Sequence, residues 1–401
     1  MKKQKNKIIF KRHYFWWKFH TPVIWIMALL LGYKRKNKFH MEKGQSYIIL
    51  SNHQCDVDGL LMGLSFNRPY CALTTDTFFS KGLIAKIWRY MFAIIPKKKG
   101  AVDVKSTFEM MTCIKEHGSL TIYPEGNRSY GEFQFPFTPG FGKFLKHFQV
   151  PVVVFNVHGG TGVNPRFGGK RRKGNYYGGV RKVFSPGEYN KLTDEEFELE
   201  LKNNLRVYDS ESGDLYKSKR KAEYLERMFF VCPKCGEIET LSSEGDHFRC
   251  SKCGLDVTFN ENLTFSSEDE AFKFKKIVDW YNYQIRYIQN YEVTDKVIFK
   301  DDNVKLFVSN PGQKRKLISN GKVELYKDKL VFGDTVINVK DITIASPISG
   351  TNMGLTTSEQ NYLVVGHKRF NPLKYVLMLN KLDCPFATDS GNIYYNLEER
   401  H

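Results

Sequence analysis

The 401-residue sequence contains no uninterrupted run of 18 or more apolar residues, which excludes a polytopic membrane protein. It has no internal repeat and no low-complexity tract, and a hydrophobic content of 41% excludes disorder throughout the chain. Acidic residues are fewer than basic ones, 43 against 61, which gives a net charge of +18. A chain of this length is expected to form two or three compact units.

The positive charge is concentrated in the first 43 residues, which contain twelve basic side chains and one acidic one, Glu42. Nucleic-acid binding would spread such residues over a docking face, whereas here they flank an apolar segment at 22–33. That segment is short for a membrane span of about 20 residues, and no cleavage site follows it. We predict that residues 1–39 hold the protein on the cytoplasmic face of an anionic membrane, in a peripheral or monotopic manner. The alternative is a buried core helix with a solvated basic tail.

Short apolar runs alternate with helix-like segments between residues 40 and 208, which is typical of an α/β domain. Three of the runs, at 47–50, 120–123 and 150–155, are predicted strands, and a polar motif follows each one. Ligands bind at the carboxyl ends of strands in open α/β sheets, so we expect the site there.

Two helices are predicted within this domain. Apolar residues at helical spacing indicate the first one: Val104, Phe108, Met111 and Ile114. Gly118 stands where its C-terminal cap is expected. Thr193 and Glu196 form a capping-box pattern that opens the second helix.

Smaller modules are predicted after residue 208. A polar connector leads to a cysteine-rich module at 228–263, and an aromatic-rich connecting helix is predicted at 267–291. Short strands and a terminal helix indicate a β-rich domain at 295–382, which resembles a pleckstrin-homology-type module. Residues 383–401 form a tail.

Four of the eight cysteines form two Cys-x-x-Cys pairs, separated by fourteen residues: Cys232, Cys235, Cys250 and Cys253. A glycine follows each pair, and this spacing is typical of a zinc ribbon. Four thiolates fill a tetrahedral shell, so we predict a structural zinc ion rather than a catalytic one. Disulfides and an iron–sulfur site are the alternatives, and a cytoplasmic location disfavours disulfides. The net charge of −1 across 232–254 argues against nucleic-acid binding.

The first polar motif, NHQCDVDG at 52–59, places a histidine five residues before an aspartate. His53 can act as a general base if a carboxylate holds its second ring nitrogen. In a continuous helix His53 and Asp58 would point about 140° apart, so their pairing requires His53 to lie on a turn before the helix. The alternative is a capping or surface role.

The second polar motif, PEGNRS at 124–129, presents Arg128 on a glycine-containing turn after a predicted strand. The planar guanidinium can bind a phosphate monoester at two points. The alternative is a tight turn that carries a surface arginine.

Together these motifs resemble those of the 1-acylglycerol-3-phosphate O-acyltransferase family. The family's His-x4-Asp motif corresponds to NHQCDVD, its Glu-Gly-x-Arg-Ser motif to PEGNRS, and its Val-Pro-rich strand to residues 150–157. The resemblance covers about residues 20–208 and implies an α/β acyltransferase core in which helices flank a mixed sheet.

The resemblance implies that His53 is the catalytic base and that Asp58 orients it. The family's second motif ends in an arginine, where this sequence has only lysines, which bind phosphate as point charges. The substrate-binding residues implied in this way are Glu125, Gly126, Arg128, Ser129, Lys97 and Lys99. Cys55 occupies a position at which the family usually has serine, and a nucleophilic role for it is an alternative.

The implied reaction moves a fatty acyl group from acyl-CoA or acyl-carrier protein to the free hydroxyl of a lysophospholipid, foremost lysophosphatidic acid. It needs no catalytic cofactor. The alternative is a non-catalytic zinc-ribbon adaptor, for a membrane or a nucleic acid, with a degenerate acyltransferase core. The joint presence of His53, Asp58 and Arg128 favours the enzyme.

Overall fold

The computed structural model describes residues 2–75, 87, 90–97, 104–310 and 313–382, which form two compact units. The first unit comprises residues up to Arg128, Phe137–Gly160 and Asn175–Tyr208. The second comprises Ser129–Pro136, Thr161–Gly174 and the residues from Asp209 onward. Two short segments that were predicted to lie in the domain at 40–208 therefore group with the second unit.

In the described part of the first unit, seven strands form one sheet. The strands are β1 (Tyr33–Arg35), β2 (Ile48–Ser51), β3 (Cys71–Thr75), β4 (Ile95–Lys97), β5 (Leu120–Ile122), β6 (Val152–His158) and β7 (Tyr176–Phe184). Their order is β1-β7-β6-β2-β5-β3-β4. The β6–β7 pair is antiparallel and the other pairs are parallel, which confirms the predicted mixed sheet. Residues 33–35 belong to this sheet, although they were predicted to be part of the membrane segment.

The strands that precede the polar motifs are neighbours. β2 lies between β5 and β6 and runs parallel to both. Their apolar side chains are buried in the core, among them Ile48, Leu50, Leu120, Val152 and Val154. Because parallel neighbours end at the same edge of a sheet, the segments after β2, β5 and β6 meet there.

Helices flank this sheet. Those before residue 208 are α1 (Lys2–Leu31), α2 (Asp58–Leu61), α3 (Val104–Lys115), α4 (Phe141–Lys146), α5 (Gly160–Val163), α6 (Pro186–Tyr189) and α7 (Asp194–Leu205). α7 begins with the predicted capping box, because the backbone N–H of Thr193 donates to the Glu196 carboxylate and the N–H of Glu196 donates to Thr193 Oγ1.

α1 is 30 residues long and packs within the first unit along one side. The imidazole nitrogens of His13 lie 3.0 and 3.1 Å from the backbone carbonyl oxygens of Met91 and Tyr70. Many of its apolar side chains are nevertheless exposed: Tyr14, Phe15, Phe19, Val23, Trp25, Ile26, Leu29 and Leu30. α1 is therefore not the buried core helix of the alternative interpretation. Among the described residues, no helix combines the length and the apolar character that a membrane span requires.

α3 is the helix predicted from apolar periodicity, but most of its apolar stripe is exposed. Val104 is 75% exposed, Phe108 71% and Met111 41%, whereas Ile114 is partly buried against the core. The buried side chains of the helix are Ser106, Met110 and Cys113. Helical spacing defines a stripe along the helix without defining which way it faces, and packing turns most of this stripe outward.

The C-terminus of α3 also differs from the prediction. His117, rather than Gly118, adopts the left-handed conformation, with φ of +61°. The N–H of Gly118 donates to the carbonyl of Cys113 at 2.9 Å, so the glycine occupies the next position of the same capping motif.

The described part of the second unit contains a four-stranded antiparallel sheet near the cysteine pairs. Its strands are β8 (Leu241–Glu244), β9 (His247–Cys250), β10 (Asp256–Phe259) and β11 (Phe265–Ser266), in the order β11-β10-β9-β8. α8 (Ile277–Asn290) follows, and its buried Trp280 stacks on Phe229 with ring centroids 4.6 Å apart. This helix is shorter than predicted and is part of the core of the unit.

A seven-stranded antiparallel sheet forms the rest of the described second unit. Its strands are β12 (Phe299–Val308), β13 (Lys316–Leu325), β14 (Lys329–Phe332), β15 (Thr335–Asn338), β16 (Ile342–Pro347), β17 (Asn352–Thr357) and β18 (Asn361–Val365). Their order is β15-β14-β13-β12-β18-β17-β16, and α9 (Pro372–Lys381) follows. The pleckstrin-homology resemblance stays a prediction, and the predicted tail lies outside the described residues.

A buried ammonium group links these two sheets. Lys374 on α9 is buried, and its Nζ lies 2.7 Å from an oxygen of Asp301 on β12. The same Nζ contacts the carboxylate of Glu239, which lies just before β8. The hydroxyl of Tyr375 also donates to Asp301, at 2.7 Å. The buried ammonium of Lys374 is thus paired, as its burial requires.

Candidate active site

His53 lies on the turn between β2 and α2, which is the position that pairing with Asp58 requires. Its Nδ1 is 3.3 Å from Asp58 Oδ2. The imidazole is 24% exposed, whereas the Asp58 carboxylate is fully buried. The imidazole stacks on the ring of Tyr123, with centroids 4.4 Å apart. The His53 ring is therefore held by Tyr123 on one face and by Asp58 at Nδ1.

Both oxygens of Asp58 accept hydrogen bonds. Oδ2 accepts from the backbone N–H groups of Gln54 and Cys55, each at 2.7 Å, and Oδ1 accepts from the hydroxyl of Tyr176 at 2.7 Å. An ionised carboxylate can only accept hydrogen bonds, so a neutral His53 carries its proton on Nδ1, beside Asp58. Its Nε2 then has a free lone pair. Nε2 is thus the nitrogen that can take a proton from a substrate.

Tyr176 was not found from the sequence. It is the first residue of β7 and lies 118 residues after Asp58, with no motif around it. Burial, and then the charge of Asp58, raise the pKa of Tyr176 far above its usual value. Its hydroxyl therefore stays protonated and remains a donor to Asp58.

The turn that carries His53 is anchored to the end of β6. The side-chain amide of Asn52 donates to the carbonyl of Val157 and accepts from its N–H, both at 2.8 Å. Gln54 Oε1 accepts from the N–H of Gly160 at 2.9 Å. A Cβ at position 160 would lie 2.5 Å from Gln54 Cβ, so this approach requires glycine.

Cys55 is fully buried beneath the same turn. Its thiol contacts the carbonyl of Gly160, with Sγ and O 3.4 Å apart. A nucleophile must reach the acyl carbonyl, and a thiol without solvent exposure cannot do so. The geometry therefore disfavours the covalent alternative.

Arg128 contacts the turn that follows His53. Its Nε donates to the carbonyl of Gln54 at 2.6 Å, and its Nη1 lies 3.1 Å from Asp56 Oδ2. The Asp56 carboxylate is 78% exposed, so solvent screens this ion pair. Gly126 has φ of +60°, which explains a glycine in the turn before Arg128. The two polar motifs thus lie together at the edge of the sheet.

Four further substrate-binding residues were predicted: Glu125, Ser129, Lys97 and Lys99. Glu125 and Ser129 are buried, and Ser129 is the first residue of the segment that groups with the second unit. Lys97 is half-buried on β4, the edge strand two positions from β5. Lys99 lies outside the described residues. The structure brings His53, Asp58 and Arg128 together, and for Lys97 it gives only a position on the sheet.

The four paired cysteines lie close together, with all Sγ atoms within 4.8 Å of one another. The Sγ–Sγ distances are 3.6 Å between Cys232 and Cys253, and 3.8 Å between Cys235 and Cys250. Zinc–sulfur bonds of about 2.3 Å imply tetrahedral edges of about 3.8 Å, whereas a disulfide bond is about 2.05 Å long. The four sulfurs therefore fit one metal ion better than two disulfides.

The turns around the cysteines support the same geometry. Gly236 and Gly254 each have φ of +72°, and their N–H groups donate to the carbonyls of Cys232 and Cys250, at 2.9 and 3.1 Å. Each glycine closes the tight turn that presents a pair of sulfurs.

Comparison with known proteins points to acyl transfer. Residues 33–157 match the family model named Acyltransferase, and this segment contains His53, Asp58 and Arg128. No curated protein matches the chain. Among solved structures, the chain is similar to PlsC, the 1-acyl-sn-glycerophosphate (LPA) acyltransferase from Thermotoga maritima, with 15% identity and a TM-score of 0.36. That similarity covers 51% of this chain and 96% of the PlsC chain, and it is too weak to carry an argument about function. The family match supports an acyltransferase core in residues 33–157.

Proposed function

We propose that this protein transfers a fatty acyl group from acyl-CoA or acyl-carrier protein to the free hydroxyl of a lysophospholipid, with lysophosphatidic acid as the acceptor and phosphatidic acid as the product. The observation that carries the proposal is the partly exposed imidazole of His53, oriented by the buried Asp58 on a turn that Arg128 also contacts. The family match over residues 33–157 supports the same reaction class.

In this reaction, Nε2 of His53 accepts the proton of the acceptor hydroxyl while that oxygen attacks the thioester carbonyl. Asp58 stabilises the imidazolium that forms. The carbon–sulfur bond then breaks, and the imidazolium returns the proton to the leaving thiolate. One oxygen–carbon bond forms, one carbon–sulfur bond breaks, and the proton ends on the thiol. The transfer therefore requires no other reactant.

Arg128 is proposed to hold the acceptor phosphate. Its guanidinium carries five N–H donors, and its ion pair with Asp56 is exposed, so a phosphate dianion competes for it favourably. Glu125, Gly126 and Ser129 shape the turn around Arg128 in this proposal, and Lys97 and Lys99 add positive charge.

The proposal also includes a structural zinc ion and a location on the cytoplasmic face of the membrane. The four thiolates of the module at 228–263 would hold the zinc ion, which stabilises the turns and takes no part in acyl transfer. The exposed apolar side chains of α1 and its exposed Lys18 are suited to the surface of an anionic bilayer, where lysophospholipid is found.

The test compares His53→Ala with wild type in the transfer of labelled acyl groups to lysophosphatidic acid. His147→Ala is the matched control, because His147 is exposed on the surface of the same unit, just after α4. We expect His53→Ala to lower the rate at least about a hundredfold, as for a lost general base, and His147→Ala to leave it unchanged. Equal rates in His53→Ala and wild type would eliminate the proposed base. No transfer by wild type from either donor would favour the adaptor alternative.

A further inference from the structure

The outward face of α3 is unusually apolar for a surface helix. At 100° per residue, Val104, Phe108, Met111 and Lys115 fall within about 60° of one another. All four are exposed, so three apolar side chains and one lysine form the outermost line of the helix. Single exposed apolar residues are common, but a continuous line of them marks an interaction surface.

The opposite face of α3 contributes Ser106, Met110 and Cys113 to the interior, and Ile114 packs against the same core. Burying Phe108 in place of Ser106 would remove more apolar surface from water, yet the chain leaves Phe108 outside. The packing of the first unit thus leaves Val104, Phe108 and Met111 exposed, where they can contact an apolar phase outside the protein.

The charge around this stripe favours an anionic partner. Lys105 and Lys115 are exposed beside it, whereas Glu109, the acidic residue within the helix, is half-buried to one side. An apolar line flanked by lysines suits the boundary between lipid headgroups and acyl chains, where the aliphatic stems lie in the apolar layer and the ammonium groups reach phosphate.

α3 and α1 both contact one short segment of the first unit, residues 91–97. α3 packs against β4, which begins at Ile95. Met91, four residues earlier, accepts a hydrogen bond from His13 of α1 at 3.0 Å. α1 and α3 therefore both contact the segment 91–97.

We propose that Val104, Phe108 and Met111 of α3 insert into an anionic bilayer surface as a second membrane contact, in addition to α1. This inference rests on the proposed function, because that function requires an acceptor lipid at the membrane. Two separate contacts fix the orientation of the first unit on the bilayer, whereas α1 alone would leave the unit free to rotate about one helix.

The main experiment measures binding of the full chain to vesicles of equal parts phosphatidylcholine and phosphatidylglycerol. The variant combines Val104→Ser, Phe108→Ser and Met111→Ser, and the matched control is Leu199→Ser, an exposed leucine on α7. We expect the variant to bind about tenfold more weakly and the control to bind like wild type. Equal binding by variant and wild type, or no binding by wild type, would overturn the proposal.

A second measurement reports on α3 independently of α1. Phe108→Trp adds one indole to the five tryptophans of the chain. We expect its additional emission to shift to shorter wavelength on vesicles and to be quenched by brominated lipid. Additional emission that stays at the wavelength of water-exposed indole would count against insertion. A dimer in solution that the serine variant converts to a monomer would instead assign the face to contact between copies, and would also overturn the proposal.

Failure of this proposal can be distinguished from failure of the proposed function. The serine variant should keep its acyl-transfer rate with a short-chain acceptor that is monomeric in water, and should lose rate only on vesicles. His53→Ala should lose the rate with both acceptors and still bind vesicles. Loss of vesicle binding in the serine variant of a protein without acyl transfer would support the surface and refute the reaction.

Discussion

Replacing Tyr176 by phenylalanine tests whether Asp58 is positioned by its buried donors. The substitution keeps the ring and removes one hydrogen bond of 2.7 Å to Asp58 Oδ1. Both groups are buried, so water cannot replace the lost donor. A hydrogen bond to a charged group contributes about 1.5–3 kcal/mol, and we expect the free energy of unfolding to fall by that amount. We also expect kcat to fall about tenfold, which corresponds to about 1.4 kcal/mol, because His53 depends on Asp58 for its orientation.

The pH dependence of this stability difference follows from the raised pKa of Tyr176. In the unfolded chain the phenol ionises near pH 10, whereas burial and the charge of Asp58 keep it protonated in the folded state. A group whose pKa is raised by folding contributes its stability below the unfolded pKa and loses it as pH rises above that value. The stability advantage of wild type over Tyr176→Phe should therefore be constant below about pH 9 and decrease above about pH 10.

The assays are urea unfolding at several pH values and steady-state acyl transfer. Tyr189→Phe is the matched control, because Tyr189 is also buried and donates to the carbonyl of Val150 at 3.2 Å, without contacting Asp58. We expect the control to lose about 0.5–1.5 kcal/mol of stability and no activity. Unchanged stability and kcat in Tyr176→Phe, or an equal loss of kcat in the control, would refute the positioning role.

Three other perturbations probe the remaining contacts. Asp56→Asn removes the exposed carboxylate that competes with phosphate for Arg128, so steady-state kinetics should show a KM for lysophosphatidic acid up to about fivefold lower at unchanged kcat. Gly160→Ala places a Cβ against Gln54 and displaces the turn that carries His53, so kcat should fall, and the free energy of unfolding in urea should fall by about 1–3 kcal/mol. Removing metal with a chelator should lower the thermal unfolding temperature, and metal analysis of the untreated protein should find about one zinc ion per chain.

Each of these expectations has a contrary outcome. A higher KM in Asp56→Asn would mean that Asp56 helps to hold Arg128 in its binding position, and Asp56→Ser serves as a second variant of similar exposure. Full activity in Gly160→Ala would show that the turn tolerates the displacement. Less than about half a zinc ion per chain would count against the four-thiolate site.

The strands at the centre of the first unit were predictable because buried parallel strands are continuous apolar runs. The predicted runs at 47–50, 120–123 and 150–155 overlap β2, β5 and β6. β1 was missed because its three residues directly follow the apolar segment and carry no pattern of their own. Two short segments also group with the second unit, which no feature of the linear sequence indicated.

The candidate site was predictable where its residues lie in short motifs that directly follow predicted strands. His53 and Asp58 are five residues apart, and their pairing follows from a strand that ends just before them. Tyr176 reaches the same carboxylate from β7, whose antiparallel placement beside β6 depends on the whole sheet. The direction of α3 depends in the same way on packing that helical spacing alone does not determine.

The ammonium of Lys374 contacts carboxylates from both sheets of the second unit. It is the counterion of Asp301 in the β-rich sheet, which also accepts from Tyr375, and of Glu239 next to the paired cysteines, whose side chain is one-third exposed. Separating the sheets would leave Lys374 paired with Asp301 and return the partly exposed Glu239 to water. The Lys374–Glu239 ion pair therefore adds a modest, salt-sensitive contribution to the contact between the two sheets.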